Sequence, residues 1–179
     1  MIKKEKIIMS KIVVLMGSPR KGGNTDLLAR AFVEGAAAKH EVELVPVADY
    51  KIEPCIGCNS CFRKDDMAKI YEKLKQADTL VIASPVYFYG LSAQLKALVD
   101  RLHNPIRNEF PLKRLGLILV GADTLPALFD PILLQYKMTL DYFHLESIGT
   151  VLVRGAANKG DVQKTDGLKQ AHELGEKLE

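Results

Sequence analysis

Tryptophan is absent from the 179 residues, cysteine occurs three times, and no apolar run approaches the ~20 residues that a membrane-spanning helix needs. A soluble chain with no membrane partner is expected. An excess of one charge is missing too: 25 Lys and Arg against 22 Asp and Glu leave +3. The charges are scattered, with none of the basic striping that grips nucleic acid, so small-molecule partners are expected. Cys55, Cys58 and Cys61 are odd in number and crowded together, which excludes a secreted disulfide framework and predicts a reducing cytoplasm. Lysines followed by an apolar run begin the chain as a leader would. Ser10 and Lys11 interrupt that run, however, and no small-residue cleavage site follows. Residues 1–10 are read as a loose prefix, with Met9 an alternative start to Met1.

What the chain does hold is apolar material for one sizeable core. Hydrophobic residues make up 47% and charged residues 26%, over a length close to that of one domain, so 1–179 reads as a single unit. The hydrophobic period switches repeatedly along it. Continuous, mostly β-branched or leucine-rich runs at Lys11–Met16, 79–83 and Arg114–Val120 read as strands buried on both faces, with further strands at 41–47 and 145–153. Helices are expected over 25–38, 65–76, 91–102, 125–142 and 161–178. In the third of these, Leu91, Leu95, Leu98, Val99 and Leu102 form one apolar stripe. Five strands alternating with five helices predict an α/β three-layer sandwich around a five-stranded parallel sheet, in the flavodoxin-like order 2-1-3-4-5. Ligands then bind beyond the strand C-termini, at the switch point between the first and third strands.

Two loops fall at that point. The first, Gly17-Ser-Pro-Arg-Lys-Gly-Gly-Asn-Thr25, joins a strand to a helix. Its small residues permit a close turn, and its amides together with the helix start suit an anion. Ser18, Asn24 and Thr25 add side-chain donors, and Arg20 can take a phosphate with both of its terminal nitrogens. The plainer alternative is a tight turn that caps the helix. Gly23 stands where a nucleotide-binding P-loop needs lysine, and Pro19 breaks the dinucleotide fingerprint G-x-G-x-x-G. Acidic residues at the ends of the first and third strands, as a receiver domain needs, are missing. A terminal phosphomonoester remains. The second loop, Ser84-Pro-Val-Tyr-Phe-Tyr-Gly-Leu-Ser92, stiffened at Pro85 and opened at Gly90, carries Tyr87, Phe88 and Tyr89 where they can flank a flat heterocycle. Exposed amides at Val86 to Phe88 are expected to donate to such a ring. Packing of the three aromatics into the core is the alternative.

These two loops, with Cys55-Ile-Gly-Cys58 and the continuation Ser-Ala-Gln-Leu-Lys96, make the chain resemble the NADPH-dependent FMN reductase family, near its iron-sulfur flavoprotein branch. The likeness runs from about residue 11 to 101. It implies non-covalent FMN, reduction by NADH or NADPH, and a homodimer or tetramer. By the same resemblance Ser18, Arg20, Asn24 and Thr25 hold the FMN phosphate, with Gly22 and Gly23 leaving room for it. Pro85, Val86, Tyr87, Phe88 and Gly90 then line the isoalloxazine ring. No catalytic side chain is implied.

The cysteines leave three readings open. Iron-sulfur flavoproteins add a fourth cysteine that this chain lacks, which excludes a four-thiolate cluster from one chain. A cluster completed by Asp65, Asp66 or another subunit is admitted but not favoured, beside a reversible Cys55–Cys58 disulfide or ordinary thiols. Asp100-Arg101 reads as a helix-end capping pair or an interface pair, and the four histidines as dispersed surface or helix-end groups. The expected function is an NAD(P)H-dependent FMN oxidoreductase serving a flavin, a quinone or another acceptor. An FMN electron carrier and a non-catalytic flavodoxin-like binding module are its rivals.

Overall fold

The structure, a computed structural model, describes residues 9–59, 61, 63–103 and 106–179. Among them, strands β1 (Lys11–Met16), β2 (Glu41–Pro46), β3 (Thr79–Pro85), β4 (Arg114–Val120) and β5 (Glu146–Val153) form one parallel sheet. Its order is β2-β1-β3-β4-β5. Helices α1 (Asn24–Ala36), α2 (Met67–Leu74), α3 (Ala93–Val99) and α4 (Asp130–Phe143) connect successive strands, and α5 (Gly167–Glu176) follows β5. The side chains of each central strand alternate between two cores. Ile12, Val14, Val81, Ala83 and Ile118 face α1 and α5, while Val13, Leu15, Leu80, Ile82 and Leu117 face α2, α3 and α4. Burial on both faces is why these strands read as unbroken apolar runs. The three-layer flavodoxin-like arrangement expected from the alternation is the one observed. No helix among the described residues is long and apolar enough to cross a membrane.

Element ends differ from expectation in instructive ways. β3 runs two residues further, because Ser84 and Pro85 still pair with Leu119 and Val120 of β4. The helix expected from 125 opens instead with a 3₁₀ turn, Pro126–Phe129, before α4 starts at Asp130. The Arg154 guanidinium holds the Leu125 and Pro126 carbonyls there, at 3.1 and 2.7 Å, and lies 4.6 Å from the Phe129 ring centre. The helix expected from 161 is likewise split into a turn, Asp161–Lys164, and α5. Ser10, placed in the loose prefix by its sequence, is buried. Its N–H donates to His40 Nδ1 at 3.3 Å, its carbonyl accepts from Glu41, and its hydroxyl accepts from Arg114. His40 is thereby a buried histidine rather than a surface one; Nε2 donates to the Leu178 carbonyl at 3.1 Å.

Helices α1 and α5 meet backbone to backbone. A Cβ on Gly35 would come within 2.1 Å of the His172 carbonyl oxygen, and one on Gly175 within 2.3 Å of the Phe32 oxygen. Rigid carbonyls cannot rotate away as side chains do, so the helices would have to part. Gly35→Ala is therefore expected to destabilise the protein by about 1–3 kcal/mol, the usual cost of overpacking. Thermal melting followed by circular dichroism checks this, and an unchanged midpoint would contradict the close approach.

Candidate functional site

The loops after β1 and β3 are held in contact by one serine. Ser92 caps α3, its amide donates to Ser84 Oγ at 3.0 Å, and its hydroxyl donates to the Gly17 carbonyl at 2.7 Å. A Cβ at Gly17 would collide with Leu95 at 2.7 Å and with Ser92 Oγ at 2.9 Å, so glycine is what lets the loops touch. Beyond Gly17 the backbone turns through Gly22, whose φ of +66° is left-handed, and reaches the N-cap Gly23, which has no side chain to cap with. The first helical hydrogen bond runs from Leu27 N–H to the Gly23 carbonyl at 3.0 Å. The amides of Asn24, Thr25 and Asp26 therefore precede the helical ladder, at the positive end of the α1 dipole. Asp26 does not oppose an anion there, because its buried carboxylate accepts from Gly22 N–H at 2.7 Å and from Arg30 Nε at 2.9 Å. Ser18 accepts the Arg20 N–H at 3.2 Å, and the Arg20 side chain is exposed. These groups suit a phosphomonoester better than a plain cap does, since no side chain caps this helix.

Asn24 has a different task from the one expected of it. Its Nδ2 donates to the Ala156 and Asn158 carbonyls at 3.1 and 2.8 Å, and its Oδ1 accepts from Gly160 N–H at 2.8 Å. The side chain clasps the loop after β5. That clasp brings Lys159 to the cradle, where a Cβ at Gly22 would lie 3.4 Å from its ammonium nitrogen. Sequence reasoning missed Lys159 because two strands, β3 and β4, lie between β1 and β5. The shared packing of α1 and α5 on one face of the sheet is what carries the loop across.

The aromatic loop also differs in detail. Val86 N–H extends the ladder to the Val120 carbonyl at 2.7 Å, and Tyr87 and Gly90 exchange hydrogen bonds of 3.0 and 3.1 Å. The expected donation to a ring from the amides of Val86 and Tyr87 is thus corrected, because both are already used. Between them Phe88 and Tyr89 adopt φ of +48° and +63°. This is a turn that glycine and asparagine normally occupy, and each bulky residue in it costs roughly 1–2 kcal/mol. Tyr87, Phe88 and Tyr89 are exposed, Phe88 at 97%, so they are not core residues. The strained turn thus presents aromatic rings to solvent.

The cysteine segment is pinned from α3. Arg101, buried beyond the end of that helix, forms an ion pair with the buried Asp65 and donates to the Glu53 and Cys61 carbonyls at 3.1 and 2.9 Å. It is therefore a buried group rather than one of an interface pair with Asp100, which instead binds Lys96. Asp65 also accepts from Glu53 and Met67 amides, and Asp66 holds Lys51 N–H and Lys69, so neither carboxylate is spare for a metal. Among the described residues no three His, Cys, Asp or Glu side chains are grouped to hold an ion. Cys55 and Cys58 are exposed and Cys61 is buried. Next to Cys61 the Tyr71 phenol is pushed up to about 12, by burial first and then by the cysteine, and it donates to the Arg101 carbonyl at 2.9 Å.

Burial pushes the Asp65 carboxyl up, but the Arg101 guanidinium and the two amides outweigh it and hold the group below its ordinary 3.8. A lowered folded value means that its stabilising contribution is full above the unfolded value and is lost as pH falls through the folded one. Stability should therefore decline on acidification below about pH 4, and Asp65→Asn should flatten that limb of a denaturant-midpoint against pH curve. Arg101→Leu, which strands the buried carboxylate, should cost about 3–5 kcal/mol at neutral pH. Asn24→Ala should speed amide hydrogen exchange at Gly160 and Val162 while leaving the β1 and β3 amides unchanged.

Residues 10–128 match the model of the NADPH-dependent FMN reductase family. An iron-sulfur flavoprotein of Methanocaldococcus jannaschii is 43% identical over 121 residues, 63% of this chain and 62% of that protein. A Bacillus subtilis protein named as an NAD(P)H-dependent FMN-containing oxidoreductase is 32% identical over 158 residues, 81% of this chain and 85% of its own length. The chain spans about three fifths of the iron-sulfur flavoproteins from Methanocaldococcus jannaschii and Methanosarcina thermophila that it resembles. In fold it is similar to the solved NAD(P)H:quinone oxidoreductase of Methanothermobacter marburgensis. The TM-score is 0.75 at 16% identity, with 94% of this chain and 96% of that one covered. With the 2-1-3-4-5 sheet, the open helix start behind Gly17 and the family match over 10–128, the chain belongs to the NADPH-dependent FMN reductase family.

Proposed function

We propose that the chain, acting as one FMN-binding domain, is an oxidoreductase that passes reducing equivalents from NADPH or NADH to a small acceptor, a flavin or a quinone. The observation that carries this reading is the Ser92 to Gly17 hydrogen bond, which sets the open start of α1 against the loop that bears the exposed aromatic turn. Ser18, Arg20 and Thr25 hold the FMN phosphate, Gly22 and Gly23 admit it, and Lys159 adds a second positive charge. The Asn24 side chain positions Lys159, while its backbone amide stays open to the phosphate. Pro85, Val86, Tyr87, Phe88 and Gly90 border the ring, with Phe88 and Tyr89 excluding water from one side of it. When bound, FMN supplies a ring that accepts hydride and hands electrons on. The protein's part is orientation and exclusion of solvent, and no side chain is required as an acid or base.

The chain as purified under anaerobic conditions should show a flavin spectrum that bleaches on rapid mixing with NADPH or NADH and recovers on addition of a quinone. Arg20→Ala and Lys159→Ala should each weaken FMN about tenfold in a fluorescence titration, the scale of one charge-assisted hydrogen bond. A colourless protein that takes up no FMN would overturn the reading. A bound flavin that nicotinamide reduces only very slowly would favour the electron carrier.

A further inference from the structure

One cavity among the described residues, about 680 Å³, does not lie at the strand tips. Its floor is the sheet face itself, at Leu80 and Ile82 of β3 and Leu115 of β4. Helix α3 has seven residues and ends at Val99, too short to cover that face. Thr139, Tyr142 and Phe143 of α4 form the opposite wall, and Phe110 and Leu112 close one end. Leu80 and Leu115 are the second residues of their strands, and Leu145 immediately precedes β5. The cavity therefore sits toward the strand N-termini, away from Gly17 and the aromatic turn, and nothing in the proposed reaction uses it.

Among the polar groups that the described residues place at its rim, Arg107 is the one donor with no accepting atom. Arg107 stacks its guanidinium 4.9 Å from the centre of the Tyr142 ring and donates to that hydroxyl, and it forms no ion pair among the described residues. His103, Asn108, Gln135 and His144 also face the space. Asp100 is the one carboxylate in the lining, and Lys96 neutralises it. An apolar floor with an oriented, uncompensated guanidinium at the rim complements a molecule with an apolar body and one negative head. A neutral lipid would leave Arg107 without a partner as its surroundings dry. A peptide strand would find a sheet face here rather than an edge to pair with. A second copy seated on Leu134, Met138 and Tyr142, all exposed on α4, would share only Tyr142 with the lining. The volume falls in the roughly 300–1,000 Å³ range of small-molecule pockets.

We propose that this cavity is a second ligand site, which takes an amphipathic carboxylate with its apolar body on Leu80, Ile82 and Leu115 and its carboxylate on Arg107. The probe is decanoate, titrated calorimetrically below its micellar concentration into the full chain as purified, whether or not flavin is bound, so failure of the FMN reading leaves this test intact. Decanoate should bind once per chain, with decanol and decyltrimethylammonium at least about tenfold weaker. Arg107→Gln should weaken decanoate about tenfold. Thr139→Trp, which fills the space, should abolish binding while the melting temperature and flavin content stay as in the parent. Val99→Trp, from the facing wall, serves if that variant does not fold. No saturable binding, equal affinity for decanol, a stoichiometry above one, or unchanged binding in the filled variant would each overturn the proposal. So would occlusion of the cavity by a second copy, seen as a dimer that excludes decanoate.

Discussion

The Ser92 hydroxyl is the contact on which the candidate site depends. It donates to the Gly17 carbonyl, accepts from the start of α3, and stands beside an amide held by Ser84, so the tips of β1 and β3 share one buried knot of hydrogen bonds. A parallel sheet by itself leaves each strand tip to its own loop. Here the tips are laced across the whole switch point. Gly17 reaches Ala83, Val86 reaches Val120, Gly121 reaches Val153, and Ala156 reaches Gly121. Asn24 then closes the circuit from α1 to the loop after β5. Buried polar groups that are all satisfied in this way fix a geometry rather than merely tolerating burial.

Helix α3 works as a strut between two such knots. Ser92 stands at its start and Arg101 just past its end, so the cradle and the cysteine segment are fixed to the same short element. The buried ion pair of Arg101 with Asp65 is weak evidence for stability, because desolvation offsets much of its attraction. What it does supply is a common anchor for Glu53, Cys61 and Asp65, through the carbonyls of Glu53 and Cys61. Among the described residues the donors there are three thiols, and the neighbouring carboxylates Asp65 and Asp66 are engaged elsewhere. The Asp65 carboxylate and the Tyr71 phenol both converge on Arg101 there.

Much of the fold was legible because each central strand is covered on both faces, and unbroken runs such as KIVVLM and RLGLILV follow directly from that burial. Helix ends were less legible. The split before α4 depends on Arg154, whose hold on the Leu125 and Pro126 carbonyls comes from a distant part of the chain. The loop chemistry was readable as residue type but not as assignment. Asn24 looked like a donor to a ligand and is a clasp, and the amides of Val86 and Tyr87 looked open and are bonded. Lys159 and Arg101 gave no local signal, since their meaning lies in partners more than thirty residues away.

The sequence alone determined the layers, the strand order, the two loops at the switch point and the family, because hydrophobic period and glycine placement are local constraints that act within a few residues. Tertiary structure decided which polar groups in those loops are spent and which are spare. A hydrogen-bonding group can be matched with any partner that the packing of α1 against α5, or of α3 beneath the strand tips, brings within about 3 Å, and no periodicity in the chain encodes that distance.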